Sequence, residues 1–200
     1  MQDNIHKIQN RNPFAVFAPQ PLGVAFETQE KGEEIILLLR AHPVTLVPSV
    51  FVVIILIFLP GLILPVLDFL NIDISLTLAP GQLFWLTIFW YLFTFGYAFY
   101  KFIFWYFNVY LLTNERIVDF DFKGLLHKET SYAQLGQIQD VSPKTIGFFG
   151  TFFHYGNVYV QTAAERPEFI FENVEKPDIV AEKIMEQVRK EEAEKPGEIA

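Results

Sequence analysis

Two stretches of this chain, Val44–Leu67 and Ile74–Tyr100, contain no Asp, Glu, Lys, Arg or His, and the connection Asp68–Asp73 carries two acids and no base. An α-helix rises about 1.5 Å per residue, so about 20 residues cross a hydrocarbon core of about 30 Å. Both stretches exceed that length, and neither holds a charge that the bilayer would have to desolvate. A pair of helices in a soluble bundle would alternate a polar with an apolar face, and these do not. The pattern predicts a membrane helical hairpin with spans at about 44–67 and 77–104. Arg40 and Lys101 flank its open end and the turn has no base, so the positive-inside rule puts both termini in the cytoplasm. Lys101, Trp105 and Tyr106 follow the second span as a snorkelling amine and two amphipathic rings suited to the headgroup layer. Pro48, Pro60-Gly61 and Pro65 fall in the first span, which is expected to kink or break near Pro60 and to leave Leu62–Leu70 as a tilted end or interfacial turn. The absence of intramembrane ionisable groups argues against an ion or proton pathway, so the hairpin reads as an anchor.

The rest of the composition mainly excludes. A net charge of −8 over 200 residues speaks against nucleic acid, which demands clustered bases. The chain has no cysteine, hence no disulfide, thiolate zinc site or Cys nucleophile. Met1–Asn12 lacks the apolar core of a signal peptide, so the first span is expected to direct insertion. Residues 1–32 read as a polar, flexible segment and 33–107 as the anchor region. Within it, Ile35–Leu39 suits either an interfacial helix or an extra strand, because a short apolar run has no diagnostic period.

From Asn108 the periodicity changes. Val109–Leu112, Arg116–Phe122, Leu125–Ala133, Gln137–Pro143, Asn157–Thr162 and Glu168–Val174 are short β-branched and aromatic runs separated by turn residues. Val118, Phe120 and Phe122 alternate with Asp119 and Asp121, as in a half-buried strand with a solvated acidic face. Val180, Ile184 and Val188 then recur every four residues, opposite Glu182, Lys183, Glu186 and Lys190, which predicts one amphipathic helix after Pro177 with a Glu186–Lys190 pair. The domain is expected at 108–190, followed by a charged tail at 191–200. Its fold class is an antiparallel β-sandwich or barrel capped by a C-terminal amphipathic helix.

Several segments resemble one family. Tyr110-Leu111-Leu112-Thr113-Asn114-Glu115-Arg116-Ile117-Val118, Tyr132-Ala133-Gln134-Leu135-Gly136-Gln137-Ile138-Gln139-Asp140-Val141 and Phe148–Val158 with Gln161-Thr162-Ala163 are similar to the bacterial pleckstrin-homology (PH)-like domains of YdbS-like small membrane proteins with two transmembrane helices. Glu34 and Arg40-Ala41-His42-Pro43 ahead of the spans fit the same pattern. The resemblance covers roughly Glu33 to Arg189. It implies a PH-like fold, and binding or assembly rather than catalysis. Thr151 stands where that family often has a base, and His154 where a small residue is common, which counts against an anion-binding loop.

Candidate chemistry is sparse. Asp119 and Asp121 are better explained by strand alternation than by acid–base work, and His6, His42, His127 and His154 form no spaced metal set. Gly147, Gly150 and Gly156 bracket a loop of Phe148, Phe149, Phe152, Phe153 and Tyr155. No Lys-Ser/Thr pair follows to hold a phosphate. The aromatics suit core packing under the barrel, or a face applied to membrane or partner. Lys123, Lys128 and Lys144, in or beside expected turns, are candidates for attraction to anionic lipid. With Lys101, Trp105, Tyr106, Phe152, Phe153, His154 and Tyr155 they form the set of possible partner or lipid contacts. No catalytic, cofactor or metal residue is identified. The expected role is a multi-pass scaffold at the cytoplasmic face of the plasma (inner) membrane. Its partners would be the bilayer, other membrane proteins or copies of itself. Lipid-headgroup binding is the alternative, and a membrane-bound hydrolase the alternative of another class.

Overall fold

The computed structural model describes residues 12–71, 79–124, 127–163 and 168–194. The chain divides into two units, one comprising Val44–Trp105 and the other the residues before and after it.

The first unit is helical. A 3₁₀ turn, Pro43–Leu46, leads into α1 (Val47–Phe69), and α2 spans Pro80–Phe107. Both are long and apolar enough to cross a membrane, and none of the most apolar window of α1 is buried within the protein. α1 runs unbroken through Pro60 and Pro65, so of the kink or break expected near Pro60 the break does not occur. A proline leaves the carbonyl four residues back without its helical donor. For Pro60 that carbonyl is Leu56, and the Trp90 indole of α2 donates to it at 2.8 Å, while the Tyr91 hydroxyl donates to the Ile57 carbonyl at 3.2 Å. The neighbouring helix thus satisfies the group that the proline orphans. Asn71 ends α1 in the left-handed conformation, φ 56°, a common helix stop. Thr87 and Thr94 donate back to the carbonyls of Leu83 and Trp90, so these hydroxyls are satisfied inside an apolar helix.

The second unit is built from antiparallel sheets. Strands β1 (Phe17–Pro19), β2 (Ile35–Arg40), β3 (Val109–Thr113), β4 (Arg116–Gly124) and β5 (His127–Gln134) form a five-stranded sheet in that order. Strands β6 (Ile138–Thr145), β7 (Tyr155–Thr162) and β8 (Glu168–Glu175) form a second sheet, with the short helix α3 (Gly147–Phe153) between β6 and β7. An antiparallel bridge, Ala41 to Val174, links the two sheets. Helix α4 (Pro177–Glu194) lies on β6 and β7. Two apolar helices, antiparallel sheets and a C-terminal helix are the arrangement expected above and are consistent with a PH-like plan.

The main core joins both sheets and α4 through Leu37, Leu39, Leu112, Ile117, Val158, Val160, Phe169 and Phe171, with Val180, Ile184 and Val188 from α4. A second cluster, Ala18, Leu38, Leu111 and Val118, occupies the opposite face of the five-stranded sheet, with Ala15 and Phe26 packed against it. Strand β2 is therefore buried on both faces, which makes its sequence a continuous apolar run. Ile35–Leu39 is a strand of the β unit, not part of the anchor, and residues 13–32 include β1 and supply cover for the second cluster. The expected Glu186–Lys190 pair forms at 2.9 Å, and Lys183 reaches the same carboxylate at 2.8 Å. These two amines hold the Glu186 carboxyl down at about 2. The tail beyond Glu194 lies outside the described residues.

Candidate functional site

The aromatic segment between β6 and β7, read from sequence as a loop, is the helix α3. Two glycines shape this region. A Cβ on Gly150 would lie 2.9 Å from the Tyr155 carbonyl oxygen and 3.3 Å from Thr145 Cγ2. A Cβ on Gly156 would collide with the Lys144 carbonyl oxygen. Gly150 thereby lets the helix backbone sit against the end of β6 and the start of β7, while Gly156, in β7 itself, lets that strand pair closely with β6. Gly147 starts α3 at φ 68° and His154 ends it at φ 54°, with its N–H on the Gly150 carbonyl. Gly150 and Gly156 thus have a packing role.

Because Gly150 faces inward, the phenylalanines face out. Phe148 is 78 % exposed and Phe152 67 %, and Phe149, Phe153 and Ile146 are exposed too. Core packing under the barrel, one expectation for these residues, is not what the structure shows. The rings cover one another instead. Phe148 and Phe152 stack with centroids 6.3 Å apart, Phe149 meets Phe148 edge-on at 5.8 Å, and Phe153 meets Phe152 at 5.0 Å. Together they form a contiguous exposed apolar surface.

One end of this surface is tied to His42. Its imidazole stacks on Tyr155 at 5.3 Å and 15°, and lies 6.3 Å from the Phe153 ring. The His42 N–H donates to the Asn173 carbonyl at 2.7 Å, and Lys176 N–H to the His154 carbonyl at 2.8 Å. Burial pulls the His42 imidazole below its usual range, against the opposing pull of Glu175. Phe152, Phe153, His154 and Tyr155 thus come together. Lys144, two residues before Ile146, lies over the Tyr159 ring at 4.3 Å.

The other candidates lie elsewhere. Lys128 is in β5, over the Phe120 ring at 5.2 Å and 3.9 Å from Glu27. Lys123, Lys128 and Lys144 belong to strands, each near a strand end, and the Lys123 side chain lies outside the described residues. In the helical unit, Lys101 lies over the Tyr97 ring at 5.8 Å and Trp105 is 6.1 Å from Phe102. Asp119 belongs to the five-stranded sheet, whereas His154 follows α3 beside the three-stranded one; the His127 side chain and His6 are not described. Among the described residues no three His, Asp or Glu side chains converge as a metal site.

Two functional features escaped sequence reasoning. Arg40, read as a membrane flank, is 7 % exposed in the β unit. Its guanidinium donates to the carbonyls of Tyr106, Pro13 and Ala15 at 2.9, 3.0 and 2.8 Å and lies over the Tyr106 ring at 4.7 Å. Arg40 pairs with Val109 across β2 and β3. The chain thus leaves and re-enters the β unit on adjacent strands, stapled by one side chain. The second feature is a buried ion pair. Glu33, 3 % exposed, accepts from Arg116 Nε and Nη2, both at 2.9 Å, from Thr113 Oγ1 at 2.8 Å and from Glu30 N–H at 2.9 Å. Burial alone would raise the Glu33 carboxyl, but the hydrogen bonds from Arg116, Glu30 and Thr113 prevail and hold it below the usual carboxylate range. The partners are separated by 83 residues, so the only sequence signals were the Thr113–Arg116 and Glu33–Glu34 segments themselves.

The chain matches no protein-family model and no curated protein. Among solved structures, a DUF1696 family protein with a pleckstrin-homology domain from Shewanella loihica is similar over 41 % of this chain and 68 % of that one, at 19 % identity and a TM-score of 0.29.

Proposed function

We propose that this protein is a membrane-anchored, PH-like scaffold that holds its β unit at the cytoplasmic face of the plasma membrane, where it binds other membrane proteins or copies of itself. The observation that carries the reading is the apolar hairpin. α1 and α2 present Phe51, Phe58, Phe84, Trp85, Phe89, Leu92 and Phe95 outward with no charged residue among them. In water that surface is an aggregation hazard; in lipid it is an ordinary transmembrane surface. The Trp90 cap on the Leu56 carbonyl supports the same environment, since an unpaired backbone group in hydrocarbon costs several kcal/mol. Arg40 and Lys101 near the open end of the hairpin, and a turn without bases, support cytoplasmic termini.

A role for the β unit at the membrane surface is supported by its exposed, apolar α3 face. The test is crosslinking in native membranes followed by capture of the full chain in nanodiscs, with proteins and lipids identified on the same sample. Reproducible self-association or a membrane-protein partner supports the scaffold. Recovery of neither refutes it. Specific recovery of one lipid class with no protein would favour the headgroup-binding alternative, and turnover of a bound small molecule would favour an enzyme.

A further inference from the structure

We propose that α3 is a third membrane attachment: its aromatic face, Ile146, Phe148, Phe149 and Phe152, lies in the boundary between headgroups and acyl chains of the bilayer that holds the hairpin. The inference deepens the reading above and rests on it, because it names the lipid surface as what this patch meets.

Position is the first argument. Phe153 and Tyr155 hold the His42 ring at 6.3 and 5.3 Å, so the end of α3 is fixed beside His42. His42 is two residues from Val44, where the chain passes into the apolar unit, and two residues of chain reach at most about 7 Å. If α1 is a membrane helix, the chain enters the bilayer within that reach of His42, the residue beside which α3 ends. The Arg40 clamp on Tyr106 keeps the return crossing on the adjacent strand.

Charge is the second. From Lys144 to Gly156 the chain contains no Asp or Glu, in a protein with 23 of them, and its basic groups there are Lys144 and His154. Glu175 on the neighbouring β8 is paired with Lys176 at 3.0 Å. The patch and its margin are therefore neutral to basic, as suits an anionic lipid surface.

Shape is the third. Seven helical residues span only about 10 Å, far too short to cross a bilayer but suited to lying in its interface with one apolar side down. Gly150 seats the helix against the end of β6 and the start of β7, and the phenylalanines lie outward. Such an attachment would fix the orientation of the β unit on the membrane and reserve its other faces for protein partners.

The absence of cysteine permits a direct test. Single cysteines are placed at Phe148→Cys, Phe152→Cys, Phe58→Cys in α1 and Glu192→Cys in α4. Each is nitroxide-labelled in the full chain in nanodiscs of phosphatidylcholine and phosphatidylglycerol. Collision with oxygen, which concentrates in lipid, is compared with collision with an aqueous nickel chelate. Positions 148 and 152 should resemble 58, with an oxygen-to-nickel ratio several-fold above that at 192. If 58 is lipid-facing while 148 and 152 behave like 192, this inference falls and the anchor stands. If all four behave as aqueous, the anchor reading falls with it. Shielding of 148 from both reagents that grows with protein density would assign the patch to a protein contact and overturn the proposal.

Discussion

Removing the Glu33 carboxylate should be among the most damaging single changes in the β unit. Glu33→Ala deletes the acceptor of four hydrogen bonds, two of them from the Arg116 guanidinium. Charge-assisted bonds contribute about 1.5–3 kcal/mol each and neutral ones about 1, but simple addition overshoots because the groups act as one network. The better guide is the cost of stripping one partner from a buried ion pair, about 3–5 kcal/mol. Arg116 keeps the Thr28 carbonyl at 2.7 Å and its side chain is 15 % exposed, so water relieves part of the loss. The expected cost is at the lower end, about 3 kcal/mol. Glu30 is the control. It lies 3.8 Å from the same guanidinium but its side chain is 66 % exposed, so Glu30→Ala should cost at most about 1 kcal/mol. Native-state hydrogen exchange of the β3 and β4 amides, on the full chain in nanodiscs, reads the difference. Glu33→Ala should lower protection by about a hundredfold or more. A loss no larger than that of Glu30→Ala would refute the reasoning, as would a Glu33→Ala/Arg116→Leu double variant no better protected than Glu33→Ala. The pH dependence has a definite sign. The folded carboxyl lies below its unfolded value of 4.5, so its contribution is present above that pH and is lost as pH falls below it.

Further outcomes follow from the same structure. Trp90→Phe should destabilise helix pairing by about 1–2 kcal/mol in detergent unfolding, and the penalty should shrink when Pro60→Ala restores the helical donor to the Leu56 carbonyl. Gly150→Ala should cost about 1–3 kcal/mol through its approach to the Tyr155 carbonyl. Gly156→Ala should cost more, because it meets the Lys144 backbone; thermal unfolding ranks the two. His42 is held below its free value by burial, so stability should decline as pH falls below about 6.5. Comparing the thermal midpoint at pH 5.5 and 7.5 should show that decline reduced in His42→Phe; an unchanged pH response would contradict the assignment.

How legible these features were depends on how each segment is buried. α4 was readable because only one face is covered: Val180, Ile184 and Val188 keep a four-residue period. β7 and β8 were readable for the same reason at period two. β2 was ambiguous because Leu37 and Leu39 enter one cluster and Leu38 the other, which erases alternation. α3 was missed because glycine and phenylalanine give no helical signal, and its geometry comes from the tight seat of Gly150. The outward orientation of its phenylalanines runs against the usual preference of such residues for the interior, so the sequence left core packing and an exposed face as alternatives. The Arg40 staple and the Glu33–Arg116 pair depend on neighbours 66 and 83 residues away. The unbroken α1 depends on Trp90, a donor 34 residues from the carbonyl it serves.

The central claim is that α1 and α2 cross the membrane as a hairpin with the β unit inside. It is tested most directly by a single cysteine at Asn71, in the turn after α1, and another at Glu192. Labelling by an impermeant thiol reagent in intact cells is followed by labelling after lysis. The account predicts that position 71 reacts from outside and position 192 only after lysis. Reaction at 192 in intact cells, or at 71 only after lysis, would contradict it.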